Sequence, residues 1–519
     1  MKIRFKMKIT PLTQPAFRQL DRVFDTAFGS RINPLRNLGS LGFLFFWLLA
    51  ISGIYVYVVL DTSATGAYRS IDHLSRTQWY LGGILRSVHR YAADGFILVV
   101  LAHLIREWVF GHFHGFRRFS WWTGIPLLFF CFACGIVGFW LNWDQLGQFS
   151  VQASAELLDW LPLFASPLTR NFINTSAVND RLFSLFVFVH LGLPLLLLFG
   201  TWFHIQRISF AAVFPPRKLA LGSIIFLLIL AAIAPVLSHA PANLAAVPTS
   251  LAIDWILLFV HPLMYLTSAG FIWSILTCVL LTLFFLPIFL REASVPVATV
   301  DPDNCNGCRR CFDDCPYAAV TMVPHPDRKI ARQMAQVDSD LCASCGICVG
   351  SCPSSTPFRS AEKLITGIDL PQSPINDLRQ QLRSELARLE AETKIVVFGC
   401  NHAAKVNAIK DTSVVAISLI CTGMLPPSFV EYALRDGAAG VLITGCCSGG
   451  CEFRLGSQWT EERILGVREP SLRASVPRER IHIAWADAGN EAAIKEALKD
   501  LRSRITTLEM SNTTGMDLA

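Results

Sequence analysis

Six apolar segments between residues 40 and 291 constrain the fold of this chain more than any other feature. About 20 consecutive apolar residues suffice for a helix to cross the hydrocarbon core of a bilayer. Only 16% of the residues are charged and 52% are hydrophobic, which suits a chain that lies partly inside a membrane. The predicted spans are residues 41–60, 86–106, 119–141, 182–206, 219–238 and 269–290.

Lys and Arg are distributed unevenly around these segments. The side that holds the N-terminus carries many more of them than the other side. Because positive residues collect on the cytoplasmic side, we expect both termini in the cytoplasm of a prokaryote and a multi-pass protein of its inner membrane. Residues 1–38 are interpreted as a cytoplasmic segment. The charge of +6 therefore reflects topology, and we expect membrane lipid but no nucleic acid as a partner.

Histidines at membrane depth usually serve a function. His89 and His103 share one predicted span, His190 and His204 share another, and each pair is 14 residues apart. Fourteen residues advance a helix by about 21 Å and through almost four turns, so both histidines face one side at two depths. Two such helices, facing each other, predict two bis-histidine haem sites in a four-helix core. The alternative is a transporter bundle with scattered polar residues.

Four glycines repeat the same spacing on two other spans. A flat macrocycle between helices needs positions without side chains, and glycine supplies them. Arg86 and Arg106 lie three residues outside His89 and His103 and are candidates to pair with haem propionates. The glycines are Gly39 and Gly53 on the first span and Gly124 and Gly138 on the third.

Four stretches carry a resemblance to a known family: NLGSLGFLFFWLLAISG, RSVHRYAADGFILVVLAHLIR, GFWLNWDQLGQFS and FVHLGLPLLLLFGTWFH. Through them, residues 35–291 resemble the N-terminal part of cytochrome b from quinol-oxidising respiratory bc complexes. The resemblance implies two b haems, an outer one held by His89 and His190 and an inner one held by His103 and His204. It also makes a homodimer one option for the assembly.

The quinone sites of that family match this chain only in part. Its outer-site Pro-Trp-Gly corresponds to Asn142, Trp143 and Asp144, and its Pro-Glu-Trp-Tyr corresponds to residues 253–256, where Asp254 keeps an acid. The resemblance therefore suggests Trp143, Asp144 and Asp254 as outer-site residues. Asp254 has an alternative role, as the cap of a short helix over 254–262.

The inner quinone site is also matched incompletely. A family histidine five residues after the last haem ligand corresponds to Ser209, whereas Ser40 after Gly39 does match. The resemblance thus implies quinone as the substrate without deciding between the two sites. His261 is interpreted as an interfacial residue and not as a haem ligand.

All but three of the 16 cysteines lie beyond residue 300 in tight clusters. Such clusters usually hold metal in a reducing compartment, whereas Cys131, Cys134 and Cys278 are expected only to pack. Two runs of Cys-x2-Cys-x2-Cys-x3-Cys-Pro predict a ferredoxin-like 2[4Fe–4S] domain over 298–360, and zinc sites do not use this spacing. One cluster is expected on Cys305, Cys308, Cys311 and Cys352, and the other on Cys342, Cys345, Cys348 and Cys315.

From residue 394 the pattern alternates between short apolar strands and helices. KIVVFG, SVVAISLI, GVLITG and RIHIAWA predict an α/β domain with a parallel sheet over 394–506. Residues 361–393 are predicted to be a linker helix, and residues 507–519 a disordered polar tail. The membrane domain is expected over 39–293.

A third cysteine set follows the predicted strand ends, where parallel sheets bind ligands. Four converging thiolates suit a [2Fe–2S] cluster, and a redox disulfide or zinc is the alternative. Cys447 competes with its neighbour as a ligand, and the strand-end position favours Cys446. The expected ligands are Cys400, Cys421, Cys446 and Cys451.

The stretches VVFGCN and ICTGMLPPSFVEYALRDGAAGVLITGCCSGGCEFRLG resemble the delta subunit of methyl-viologen-reducing hydrogenase, over about 390–490. The resemblance implies an electron adaptor between a partner enzyme and other iron–sulfur carriers. Around Cys400, where family members carry further cysteines, Asn401, His402 and Ala403 follow instead.

These features together predict a quinone-reactive oxidoreductase subunit. We expect electrons to pass from a cytoplasmic dehydrogenase through the [2Fe–2S] and two [4Fe–4S] clusters to the haems and quinone. No nucleotide-binding glycine motif follows a strand, so the partner performs the substrate chemistry. That partner is a flavoprotein, a formate dehydrogenase or a hydrogenase. The alternatives are a non-catalytic redox-active anchor or sensor, and a Rieske-dependent quinol-oxidising complex.

Overall fold

The computed structural model describes residues 10–172, 177–246, 250–290, 295–353 and 363–516. The chain forms two units. One comprises residues 1–206 and 211–292, and the other comprises residues 207–210 and 293–519.

The α-helices of the first unit are α1 (Thr10–Phe28), α2 (Leu38–Val59), α3 (Ala67–Arg76), α4 (Ile84–Val109), α5 (Arg118–Asn142), α6 (Gln145–Asp159), α7 (Asp180–Ile205), α8 (Arg217–Ile233), α9 (Val260–Leu266) and α10 (Ala269–Phe289). Helices α2, α4, α5, α7, α8 and α10 stand at the six predicted apolar segments.

Four helical segments are long and apolar enough to cross a membrane: Leu38–Val59, Gly115–Asn142, Asp180–Ile205 and Ala269–Phe289. Two predicted spans fall short for different reasons. Helix α4 carries internal charges such as Arg90 and Asp94, and α8 has only 17 residues, or about 25 Å of helix. Four candidate spans are thus established among the described residues, and six spans stay a prediction.

The four-helix core consists of two helix pairs. Helix α2 packs along α4, and α5 packs along α7. Small residues allow the close approach, because a β-carbon on Gly95 would already stand 3.2 Å from the Phe45 ring. Each pair thereby sets a helix with two spaced glycines beside a helix with two spaced histidines.

The N-terminal segment contains a helix that packs on the first unit. The Phe17 and Phe110 rings lie 5.7 Å apart, edge to face. The side-chain amide of Gln14 donates to the Val109 carbonyl at 3.1 Å. Helix α1 is therefore fastened to the end of α4.

The cysteine-rich part of the second unit is built from short elements. Strand β2 pairs antiparallel with β3, and β1 pairs antiparallel with β4, so this domain extends past the predicted boundary at residue 360. The two short helices are entered through left-handed residues at matching positions, Arg309 and Gly346. The elements are β1 (Thr299–Val300), α11 (Arg310–Asp313), β2 (Val320–Pro324), β3 (Gln333–Val337), α12 (Ile347–Gly350) and β4 (Ile368–Asp369).

The remainder of the second unit is an α/β domain whose parallel sheet is confirmed. Its strand order is β6-β5-β7-β8. Since β6 and β7 flank β5, the topological switch point lies at the carboxyl ends of β5 and β7. The elements are α13 (Ile375–Arg388), β5 (Ile395–Cys400), β6 (Val414–Leu419), α14 (Ser428–Arg435), β7 (Gly440–Gly445), α15 (Gly456–Leu465), β8 (Ile481–Trp485) and α16 (Glu491–Met516).

The structure differs from the expectations for two connecting segments. The predicted linker helix, α13, buries Leu378 and Leu382, and Arg379 pairs with Asp436 at 2.5 Å. It belongs to the α/β domain because its apolar face is covered. The tail predicted to be disordered from residue 507 continues helix α16 to Met516.

Candidate redox sites

Each of the four histidines lies against one of the four glycines. A β-carbon would stand 2.8 Å from the His89 ring at Gly53, and 3.7 Å from the His103 ring at Gly39. On the other helix pair, it would stand 3.0 Å from His190 at Gly138 and 3.2 Å from His204 at Gly124. The glycines make room for the imidazoles on the neighbouring helix.

Three of the four imidazoles are oriented through Nδ1. The Nδ1 atom of His89 lies 3.0 Å from the Ser52 hydroxyl and 3.1 Å from the Leu49 carbonyl. That of His204 lies 3.0 Å from the Thr123 hydroxyl, and that of His190 lies 3.1 Å from the Cys134 carbonyl. With Nδ1 engaged in this way, Nε2 is the nitrogen left to bind an iron.

These orienting groups were missed at the sequence level, although their spacing carried a signal. Ser52 and Thr123 are hydroxyl residues that immediately precede Gly53 and Gly124. Leu49 and Cys134 lie four residues before Gly53 and Gly138, and their carbonyls face the histidines. Cys134, expected only to pack, therefore also contributes its backbone to the site.

The structure also brings together the histidines that were expected to share a haem. The rings of His89 and His190 lie 6.4 Å apart between centroids. His103 and His204 are close enough to interact electrostatically, and Glu107 lies 3.9 Å from Nδ1 of His103. Two facing histidine pairs with ordered imidazoles fit two bis-histidine haems.

The two arginines proposed to meet haem propionates differ in their contacts. Arg86 is buried, and its guanidinium donates to Ser75, Asn142 and Ser238. Arg106 pairs with Glu107 at 3.5 Å, while its buried Nε has no hydrogen-bond partner in the described part of the chain. The Nε of Arg106 could therefore bind the carboxylate of a ligand, whereas the Arg86 guanidinium is already hydrogen-bonded to protein side chains.

Trp143 and Asp144 form the turn between α5 and α6. Trp143 takes a left-handed conformation at φ 47°, and Asp144 caps α6 by accepting from Gly147 N at 2.9 Å. Its second oxygen accepts from His239 N at 2.9 Å. Both residues are buried. These contacts give Asp144 a structural role that the sequence comparison did not indicate.

Asp254 closes a turn and forms an ion pair. Its Oδ1 accepts from Ile256 N at 2.8 Å and Leu257 N at 2.9 Å, whereas the helix that it was expected to cap begins only at Val260. Its Oδ2 pairs with the Arg90 guanidinium, which also lies 2.6 Å from Asp94. One arginine thus pairs with two carboxylates, one residue along the helix from His89.

Three further residues complete the comparison with the sequence. The Ser40 hydroxyl donates to the Asn37 carbonyl at 2.9 Å. His261, interpreted as interfacial, is 1% exposed, with Nε2 3.0 Å from the Ser154 hydroxyl. Ser209 belongs to the second unit, where its N–H donates to the Pro316 carbonyl at 3.1 Å.

The eight cysteines of the ferredoxin-like domain fall into two groups of four. Cys311 interacts with Cys305, Cys308 and Cys352, and these four line one cavity. The second group brings Cys315 of the first run to the three leading cysteines of the second run, Cys342, Cys345 and Cys348. The chain therefore places the fourth cysteine of each run with the other run.

Burial disfavours charge on these sulfurs. It raises the pKa of Cys311 to about 12, with further contributions from the neighbouring cysteines. Burial likewise raises the pKa of Cys345 and Cys348. Metal binding would deprotonate such thiols and release their protons. A backbone N–H, from Ala319, already donates to Cys315 Sγ at 3.2 Å.

The third cysteine set converges at the carboxyl edge of the parallel sheet. Hydrogen-bond contacts link Cys400 to Cys446, Cys446 to Cys451, and Cys451 to Cys421. The backbone N–H of Cys447 donates to Asp487 at 2.9 Å. Four mutually close cysteines fit a small cluster, with Cys446 at the switch point between β5 and β7.

Neighbouring cysteines lower the pKa of two of these four thiols. A hydrogen bond from Cys446 lowers the pKa of Cys400, and one from Cys421 lowers the pKa of Cys451. The His402 N–H donates to Cys400 at 3.4 Å and also lowers its pKa, and the Gly423 N–H donates to Cys421 at 3.4 Å. Thiolates are the form that binds metal.

The three cysteine groups form a sequence inside the second unit. Cys421 of the third set lies near enough to Cys345 for electrostatic interaction, and Cys348 of that middle group interacts with Cys311. The group containing Cys345 therefore lies between the other two.

Comparison with known proteins identifies the three parts. Residues 23–211 match the family model of cytochrome b/b6/petB, residues 304–356 that of the 4Fe-4S dicluster domain, and residues 395–509 that of the methyl-viologen-reducing hydrogenase delta subunit. A solved chain described as "Hyperthermophilic respiratory Complex III" is 18% identical, covering 52% of this chain and 80% of its own, with a TM-score of 0.40. A likeness of this size carries no further conclusion.

A cytochrome b domain joined to an iron–sulfur dicluster domain defines the class of the protein: it is a membrane electron-transfer subunit. In particular, this chain matches the cytochrome b, dicluster and hydrogenase delta-subunit family models in three separate parts, which confirms the three resemblances. The first two domains imply haem b and [4Fe–4S] as cofactors, and they place the chain among oxidoreductase components.

Proposed function

We propose that this subunit relays electrons between a cytoplasmic dehydrogenase and the quinone pool. The relay uses one [2Fe–2S] cluster on Cys400, Cys421, Cys446 and Cys451, two [4Fe–4S] clusters and two b haems. The clusters and haems supply one-electron carriers, and the protein holds them in order.

The observation that supports this most strongly is the sequence of cysteine groups. The third set neighbours the group of Cys345, and that group neighbours the group of Cys311. A series of neighbouring cysteine groups suits a relay better than an anchor or sensor, which needs no series. The hydrogenase delta-subunit domain at one end of the series favours entry of electrons from a redox partner.

The chain's own side chains would tune and position the carriers. Ser52, Thr123 and the Cys134 carbonyl fix the imidazoles that bind the haem irons. The backbone N–H groups that donate to the sulfurs of Cys315, Cys400 and Cys421 would stabilise the more negative, reduced state of a bound cluster. The partner's substrate gives up two electrons, and one quinone takes two electrons and two protons to become quinol.

Cofactor analysis of the purified chain tests this proposal. Haem and iron determination with EPR should find two b haems, two [4Fe–4S] clusters and one [2Fe–2S] cluster. A single haem, or zinc in place of the third cluster, would contradict that part. Purification from native membranes should also retain a flavoprotein, a formate dehydrogenase or a hydrogenase, and the co-purifying enzyme names the substrate.

We place quinone reduction at the outer haem. Support comes from the ionic group of Arg90, Asp94 and Asp254 beside His89, since charges at membrane depth usually serve a function. With electrons entering from the negative cytoplasm, their transfer to the outer haem is downhill by about 2.3 kcal/mol per charge per 100 mV. Reduction at the inner haem would instead be electrically silent.

Sealed vesicles with an imposed potential distinguish the two sites. Quinone reduction by wild type should accelerate when the side of the iron–sulfur domains is negative, and Asp254→Asn should slow it. A rate that responds neither to the potential nor to the substitution places the quinone at the inner haem.

A further inference from the structure

We propose that Arg463 is a positioning residue for electron transfer between the third cysteine set and the middle [4Fe–4S] site, an inference that rests on the proposed function. Its guanidinium is buried, with Nη2 2.5 Å from Asp314 Oδ2 and Nη1 2.9 Å from the Gly423 carbonyl. Asp314 immediately precedes Cys315, and Gly423 follows Cys421 by two residues. One side chain therefore joins two segments, each of which carries an expected ligand of one site.

The segment of Gly346 and Gly350 and the segment of Gly423 approach each other closely at these glycines, beside Arg463. A β-carbon on Gly350 would stand 2.8 Å from Arg463 Nη1, and one on Gly423 would stand 2.8 Å from Ile347 Cγ1. A β-carbon on Gly346 would stand 2.7 Å from Met424 Cβ. No larger residue fits this approach without movement, so the sequence is specialised to hold these two segments together.

The charges around Arg463 act on both sites. Arg468 contacts the second oxygen of Asp314 at 2.5 Å and also pairs with Glu462 at 2.8 Å, so the two arginines and two carboxylates balance only while the charge of Arg463 is present. Arg463 also interacts electrostatically with Cys421. A positive charge beside a cysteine-ligated cluster stabilises its reduced, more negative state.

The transfer that Arg463 supports moves one electron and no proton. The donor cluster on the third set is oxidised by one electron, and the cluster on the group of Cys345 is reduced by one. Without the positive charge of Arg463, the donor's reduced state loses stabilisation, and the two sites lose their shared anchor.

A structural role alone predicts a different outcome. Buried ion pairs contribute little net stability, but removal of one partner is costly. Such damage would lower the thermal stability of Arg463→Gln and Asp314→Asn alike, without opposite effects on any potential. The sign of the potential shift therefore separates the two roles.

The experiment is an EPR-monitored redox titration of the purified, fully loaded chain and four variants. In Arg463→Gln, the reduction equilibrium of the [2Fe–2S] signal should become about tenfold less favourable, which is 59 mV for a one-electron couple. Asp314→Asn should shift that equilibrium in the opposite direction, and Arg463→Lys should recover most of the wild-type value. Arg502→Gln, which breaks the ion pair with Asp411 at 2.5 Å, is the matched control and should leave the potential unchanged.

These outcomes separate the role of Arg463 from the [2Fe–2S] assignment on which it rests. Opposite shifts in Arg463→Gln and Asp314→Asn support the role of Arg463. Equal potentials in wild type and both variants, or shifts of the same sign, overturn it. Absence of the [2Fe–2S] signal from wild type would instead reject the cofactor assignment on which the inference rests.

Discussion

Gly53 lies so close to His89 that a β-carbon there would stand 2.8 Å from Cε1 of the imidazole. The ring cannot easily move away, because the Ser52 hydroxyl and the Leu49 carbonyl hold its Nδ1. The glycine therefore contributes to the histidine's orientation as directly as the hydrogen bonds do, and substitutions at the four glycines should be graded by these distances.

Gly53→Ala should reduce occupancy of the outer haem, because either the helices or His89 must shift, at a cost of about 1–3 kcal/mol. Gly39→Ala is the matched control, since its β-carbon would meet His103 at an ordinary 3.7 Å. Haem content and redox-difference spectra of the two variants measure the contrast. Equal haem loss in both would show that the glycines serve some other need.

The order of the haems can be tested through their ligands. His204→Ala should remove the inner haem and stop electrons from the partner reaching the outer one. His89→Ala should leave reduction of the inner haem intact. Both are measured by haem reduction on addition of the partner's substrate, without dithionite. Normal reduction of the outer haem in His204→Ala would reverse the proposed order.

Adjacent cysteines should differ sharply in their effect. Cys446→Ser should abolish the [2Fe–2S] EPR signal, because Cys446 contacts both Cys400 and Cys451. Cys447→Ser should retain the signal, since the four proposed ligands and the bond from the Cys447 backbone N–H to Asp487 are kept. Non-haem iron should fall by one [2Fe–2S] equivalent only in the first variant. The reverse pattern would make Cys447 the ligand.

Arg90 should matter more than either carboxylate with which it pairs. Arg90→Gln leaves Asp94 and Asp254 close together without a counter-charge, which should destabilise the contact between α4 and the segment of Asp254 by about 3 kcal/mol. Asp254→Asn keeps a side-chain oxygen for the turn and leaves Arg90 paired with Asp94, so haem retention should stay near wild type. Thermal haem loss in detergent compares them, and equal loss would contradict the ion-pair argument.

Much of the candidate site could be predicted because its spacing reflects local geometry. A separation of 14 residues sets His89 and His103 on one face of a helix whatever surrounds it. Tight turns likewise gather cysteines that lie two or three residues apart. Periodic apolar segments predicted the helix positions, since a membrane helix satisfies its own backbone hydrogen bonds.

Local spacing could not reveal how side chains engage across the fold. The sequence suggested Asp254 as a proton acceptor or cap, and only packing of the 251–258 segment on α4 joined it to Arg90. The charges that counted against α4 as a span are the same ones that pair inside the structure. Similarly, the polarity of residues 507–516 favoured a tail, yet helix α16 continues through them.

The sequence by itself determined the classes of the domains, the histidine and glycine faces, and the three sets of cysteines. Each of these follows from residue type and short-range periodicity. Tertiary structure alone decided which glycine faces which histidine, and that Arg463 meets Asp314 across 149 positions of the chain. Such contacts depend on how helices and strands pack, because residues distant in the sequence become neighbours only where the buried surfaces and charges of two elements are complementary.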